Sequence, residues 1–224
     1  MTVSFREQLN SLFRWHSVAL KLKHAVKYGN EKNWTSFAPS KFVYSFFVFN
    51  GLYSIDWKKS VETDELIEWE IHLKGGDFAK IQEMKNFIGE DKFNDSLAKY
   101  IEKYLKMLGM NVENAREHLE NVSSSSQIVE KMVNRFTSYD LIASFDNVMK
   151  GQDFCESLGQ ILFFVFHVRN NVFHGTKKLL PRTSDSQNKR LKVYTAVLLA
   201  VNDLLFEVVE QTTDWDRPSF QGPR

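Results

Sequence analysis

With 224 residues, 43% of them hydrophobic and 19 phenylalanines among them, the chain has ample material for a sizeable core. Its 29 Lys and Arg against 28 Asp and Glu leave a net charge of +1, so attraction for a polyanion has to come from a local patch and not from the whole field. The single Cys155 excludes an internal disulfide framework and a thiolate zinc site, and it suits a reducing compartment, so a cytoplasmic location is expected.

Met1 to Glu7 lacks the apolar run of a secretion signal. The densest apolar runs, Phe46 to Phe49 and Ile161 to Phe166, are too short to span a bilayer, so no membrane segment is expected. Ser4-Phe-Arg-Glu7 has the form of a capping box, followed by Leu9, Leu12, Phe13 and Leu20 at helical spacing. This predicts a first helix from Phe5 to about Tyr28, ended by Gly29-Asn30. Arg14, Lys21, Lys23 and Lys27 on its other face read as a solvated face or as a binding stripe.

Pro39-Ser40 opens a second predicted helix, Lys41 to about Trp57. Phe42, Val43, Phe46, Phe47, Phe49, Leu52 and Tyr53 make it apolar on nearly every side, which marks it as central. Asn50 sits among those aromatics, where a buried amide needs hydrogen-bond partners. It is read as structural, or as a supporting residue near a site.

From Ser60 to Met149 a series of short amphipathic segments follows, all with a period near 3.6 and with no convincing strand. Leu66, Ile67, Glu70 and Ile71 mark the first; Phe78 to Ile88, Phe93 to Leu108, Ala115 with Leu119, Ile128 to Phe136, and Leu141 to Met149 mark the rest. Residues 60–149 are read as a helical insertion within a single domain covering 1–224. Gly151 closes the series, and Asp153-Phe-Cys-Glu156, another capping-box pattern, launches a helix whose buried stripe is Leu158, Ile161, Leu162, Val165, Val168 and Val172. A final helix, Ser186 to Glu210, buries Leu191, Tyr194, Val197, Leu198, Val201, Leu205 and Val208, and residues 212–224 read as a frayed or surface-lying tail. The fold class read from this pattern is all-α.

Chemically capable side chains are densest in Val168-Arg-Asn-Asn-Val-Phe-His-Gly-Thr-Lys-Lys178. Asn170 and His174 stand four apart and share a helical face, whereas Arg169 points about 140 degrees away from His174 by the helical period. One helix cannot easily aim both at one atom; two copies packed across a two-fold axis can. His174 in a last turn closed by Gly175 lies at the negative end of the helix dipole, where a general acid or base near neutrality is favoured. Arg169 can bind a phosphate oxygen in a fork, Asn170 can hold a hydroxyl or water with Asn171 in support, and Lys177, Lys178 and Arg182 can gather phosphates.

These are the parts for metal-free RNA cleavage: a base for the 2′-hydroxyl, an acid for the departing 5′-oxygen and a cation for the phosphorane charge. The residues alone also allow a plain structural reading, with His174 a helix cap and His167 a packed histidine. No carboxylate or thiol joins His167 at ligand spacing, so no metal and no cofactor are expected. His16, His24, His72 and His118 receive no role.

Arg169-Asn-Asn-Val-Phe-His174 resembles the R-x4-H signature of the HEPN superfamily (higher eukaryotes and prokaryotes nucleotide-binding). Extended through Gly175-Thr-Lys177, it is similar to the RNN-aliphatic-FHG-x-K form of many bacterial members, and Phe49-Asn50-Gly-Leu-Tyr53 is similar to the F-N-x-L-Y stretch that precedes it there. The resemblance implies a helical bundle that dimerises with both motif helices lining a cleft, and metal-independent endoribonuclease activity. Arg169 and His174 would be catalytic and Asn170 their polar helper. It further implies a role as a toxin or in antiphage defence, with an antitoxin or defence-system protein as partner. In the subgroup paired with a nucleotidyltransferase a tyrosine stands two after the histidine; here Thr176 does, so the resemblance does not extend to tyrosine adenylylation. The alternative is a HEPN-like module that binds RNA, a nucleotide or a protein without cutting.

Overall fold

A computed structural model of the chain describes residues 4–22, 25–27, 34–36, 38–68, 77–120, 127–136, 138–152, 154–173 and 184–219. The architecture is all-α, with one pair of three-residue strands among the described residues. Helix α1, Phe5–Lys21, presents Phe5, Leu9, Leu12, His16 and Ala19 on one buried stripe. The Glu7 carboxylate accepts from the Ser4 amide at 3.4 Å, as a capping box requires.

This helix ends well short of Tyr28. The ammonium of the buried Lys41 donates to the Leu20 and Leu22 carbonyls at 3.1 and 3.0 Å, groups that a continuing helix would bond to the amides of residues 24 and 26. Beyond it β1, Ala25–Lys27, pairs antiparallel with β2, Trp34–Ser36, in a register that sets Val26 opposite Thr35. The expected stop at Gly29-Asn30 lies outside the described residues.

The second expected helix is two. Helix α2 spans Ala38–Tyr53, with Pro39 in its first turn where no amide donor is needed, and α3 spans Trp57–Thr63. Asp56 divides them: its carboxylate accepts from the Lys59 amide at 3.3 Å as the N-cap of α3, while its own amide donates to the Ile67 carbonyl at 2.8 Å. That bond places 65–68 in an extended path, where Glu65 bridges to Ser4 and Glu68 to Ile55, so Leu66 and Ile67 do not begin a helix. Helix α2 is central as expected and packs against both α1 and the last helix. Asn50, however, is exposed and not buried among the aromatics.

Helices α4 (Asp77–Ile88), α5 (Glu90–Met107), α6 (Val112–Glu120), α7 (Gln127–Arg135) and α8 (Leu141–Lys150) follow the amphipathic segments read from the sequence. Asp140 starts α8 by accepting from the Ile142 and Ala143 amides at 2.9 and 3.0 Å, and Gly151 ends it at φ 68°, a conformation natural to glycine. Helix α5 buries Phe93, Leu97, Ile101, Tyr104 and Leu105 and lies along the final helix; α8 lies along the motif helix. Residues from these middle helices and from the flanking ones belong to one hydrophobic core.

The last two helices are α9, Phe154–Phe173, and α10, Ser184–Thr212. From Val193 to Phe206 every residue of α10 is buried, polar Thr195, Asn202 and Asp203 included, which makes α10 the axis of the fold. The Asn202 amide donates to the Ser45 carbonyl of α2 at 3.0 Å, tying the two central helices together.

The segment after α10 does not fray as expected. Trp215 is buried, stacks on Phe206 with ring centres 5.8 Å apart and donates from its indole to Asn10 Oδ1 at 3.0 Å. Arg217 donates to Asp203 Oδ1 at 2.7 Å and to Glu210 Oε2 at 2.6 Å. An aromatic anchor and a forked ion pair together hold this segment down. Among the described residues no helix is long and apolar enough to cross a membrane.

Candidate active site

Helix α9 carries the motif, and its first half is locked into the core. Leu158, Ile161, Leu162, Phe164 and Val165 are buried. The buried Gln160 joins two segments: its amide donates to the Ser138 carbonyl at 2.9 Å and its carbonyl accepts from the Ser144 hydroxyl of α8 at 2.8 Å. Asn147 of α8 donates to the Ser157 hydroxyl at 3.2 Å. With these polar groups satisfied, α9 has a fixed rotation about its axis.

Burial falls away as the motif approaches. Phe166 is 44% exposed, and His167, Val168 and Arg169 are half-buried. The Arg169 guanidinium stands over the Phe46 ring of α2, 5.4 Å from its centre, and Phe46 also meets Phe166 at 6.2 Å. Arg169 is thereby set on the α2 side of α9, its planar cation resting on an aromatic face. Asn50 follows Phe46 by one turn on the same side of α2, but out in solvent.

The opposite stripe of α9 faces α7. The His167 ring lies edge-on to Phe163 at 4.7 Å, and the Arg135 guanidinium of α7 stands 6.0 Å from the Phe163 ring centre. Burial, and then the nearby Lys131 ammonium, hold the His167 imidazole below its ordinary value, so it is neutral near pH 7. His167 is the packed histidine that the sequence suggested.

His174 itself, with Lys177, Lys178 and Arg182, lies outside the described residues, as do the side chains of Asn170, Asn171 and Val172. Asp153, the first residue of the expected cap, is outside them too. Among the described residues no group of three or more His, Cys, Asp and Glu is placed to hold a metal ion.

A second polar centre escaped the sequence reading. His16, given no role there, is fully buried with Nε2 3.5 Å from Asp203 Oδ1. The Tyr104 hydroxyl donates to Asp203 Oδ2 at 2.6 Å, and Lys103 Nζ lies 3.2 Å from the same oxygen. Burial alone pushes the Asp203 carboxyl up, but the contacts with His16, Tyr104 and Arg217 outweigh it and hold the group well below the usual carboxylate range. Burial and the adjacent carboxylate push the Tyr104 phenol up, so it stays a donor. With His16 fully buried, the cluster ties α1, α5, α10 and the segment after α10 together. The signal for it was present: an aspartate inside the apolar run of α10 has to find partners.

The architecture is that of an all-α protein in which α9 carries Arg169 on the side that faces α2. Comparison with protein-family models, with curated proteins and with solved structures finds no match to this chain.

Proposed function

We propose that this chain is a metal-independent endoribonuclease of HEPN type that cuts RNA at a site composed from two copies. The observation that carries the reading is the intact Arg169-Asn-Asn-Val-Phe-His174 run at the end of α9, where the helix leaves the core and Arg169 emerges on one side of it. His174 of one copy takes the proton of a ribose 2′-hydroxyl, whose oxygen attacks the adjacent phosphorus. Arg169 neutralises the phosphorane, a proton is delivered to the departing 5′-oxygen, and the products are a cyclic phosphate end and a 5′-hydroxyl end. Asn170 holds the attacking hydroxyl, and Lys177, Lys178 and Arg182 gather flanking phosphates.

The divergence of Arg169 from the His174 stripe is the reason for a second copy. Exposed aromatic side chains support it: Phe166 on α9 is 44% exposed, and Phe47 of α2, 53% exposed, meets Trp15 of α1, 39% exposed, apolar surface that association would cover. Such a nuclease acts in the cytoplasm and requires restraint, which an antitoxin or defence-system partner would supply.

The test is cleavage of single-stranded RNA by the purified protein in EDTA. Cleavage is expected to persist in chelator and to fall by about 10² to 10⁴-fold in His174→Ala and comparably in Arg169→Ala. Mixing the two inactive variants is expected to restore part of the activity, because a mixed dimer keeps one intact composite site. Cleavage abolished by EDTA, or untouched by both substitutions, rejects the reading. RNA bound but never cut favours a non-catalytic module.

A further inference from the structure

Helix α7 adds a feature that the motif does not contain. Ile128, Met132 and Phe136 form its buried stripe, and on the flank of that stripe Lys131 and Arg135 are exposed one turn apart, roughly 6 Å along the axis. This flank faces α9, since Arg135 caps the Phe163 ring at 6.0 Å and Phe163 meets His167 at 4.7 Å. Among the described residues neither cation is in an ion pair.

Two like charges at this spacing destabilise a helix by a few tenths of a kcal/mol, and Lys131 also disfavours a charge on His167. Arg135 rests on the Phe163 ring, but among the described residues no carboxylate pairs with either cation, so an external anion would stabilise the arrangement. The nearest carboxylate on the helix, Glu130, precedes Lys131 by one residue and therefore points about 100 degrees away. The cations thus border the Phe163 and His167 stripe of α9.

We propose that Lys131 and Arg135 hold consecutive phosphates of a single-stranded RNA along the His167 side of α9. The strip extends the phosphate-gathering surface beyond the basic connector after the motif, onto a helix with no likeness to the motif, and it selects single strands because a backbone laid between α7 and α9 leaves its bases free to turn outward. This assignment rests on the ribonuclease reading for its choice of polyanion.

The experiment measures binding of a fluorescently labelled single-stranded RNA to the full-length His174→Ala protein across a salt series, beside cleavage by the wild type. The comparison proteins carry Lys131→Glu with Arg135→Glu, and separately Lys131→Gln with Arg135→Gln, each checked for unchanged helicity and melting temperature. The expected result is affinity reduced by about tenfold or more and a salt slope lower by roughly 1.4, about 0.7 for each single-strand phosphate that is no longer held. Unchanged affinity, or weaker affinity with the full salt slope, in a protein whose wild type cuts RNA overturns the assignment and leaves the ribonuclease reading standing. RNA bound through the two cations without cleavage by the wild type retains the assignment and removes the ribonuclease reading. Absence of RNA binding by the otherwise intact protein overturns both.

Discussion

Asp203 shows how a single carboxylate comes to hold several elements. It is buried on α10 and receives His16 from α1, Tyr104 and Lys103 from α5, and Arg217 from the segment after the helix. Its folded pKa lies below its unfolded one, so the stability it contributes is fully present above the unfolded value of about 3.9 and is lost as pH falls toward the folded value. The wild type should therefore lose stability in denaturant titrations from just below pH 5 downward. Asp203→Asn should flatten that acid limb and, by taking the carboxylate from Arg217 and Tyr104, lower stability near pH 7 by roughly 1 to 3 kcal/mol. An acid limb of unchanged slope in the variant would remove Asp203 from this role. The histidine it touches was unreadable in the sequence because its partner lies on a helix far along the chain, whereas the Arg169 motif stands out in the sequence because its residues are adjacent.

At the level of elements, α2 packs against α1 with Gly51 close to Leu12: a β-carbon built on Gly51 would stand 2.4 Å from Leu12 Cδ2. Leu12 is buried, so its side chain has little room to retreat. Gly51→Val should lower stability by about 1 to 3 kcal/mol, while Gly51→Ala should cost less because the gain in helix propensity, near 1 kcal/mol, offsets part of the overlap. Equal melting temperatures for the valine variant and the wild type would mean the two helices are free to separate. The same pair shows which element features were legible. Periodicity alone placed α4 to α10, because each buries a single stripe or is apolar throughout. The end of α1 and the break between α2 and α3 were not legible, since they depend on Lys41 reaching back to α1 and on Asp56 meeting Ile67. In the site, the order of the motif residues could be read locally, but not that Arg169 rests on Phe46 or that Arg135 overlies Phe163, because those contacts join separate helices.

Across the whole molecule, the segment after α10 behaves as part of the core. Trp215 covers Phe13 and Phe206, and Arg217 completes the ring of donors around Asp203. A chain shortened after Thr212 should therefore unfold at lower denaturant, with a loss of at least the roughly 3 to 5 kcal/mol typical of deleting a buried tryptophan, and Trp215→Ala alone should reproduce much of it. A shortened chain as stable as the intact one would show the segment to be dispensable. The bond between Asn202 and Ser45 spans 157 residues, so at synthesis rates of about 5 to 20 residues per second the face of α2 that α10 covers stays bare for roughly ten to thirty seconds after α2 is made. During that interval Phe42, Phe46 and Phe49 form a sticky surface on a nascent chain, and its fate in the cell depends on which arrives first, α10 or a chaperone.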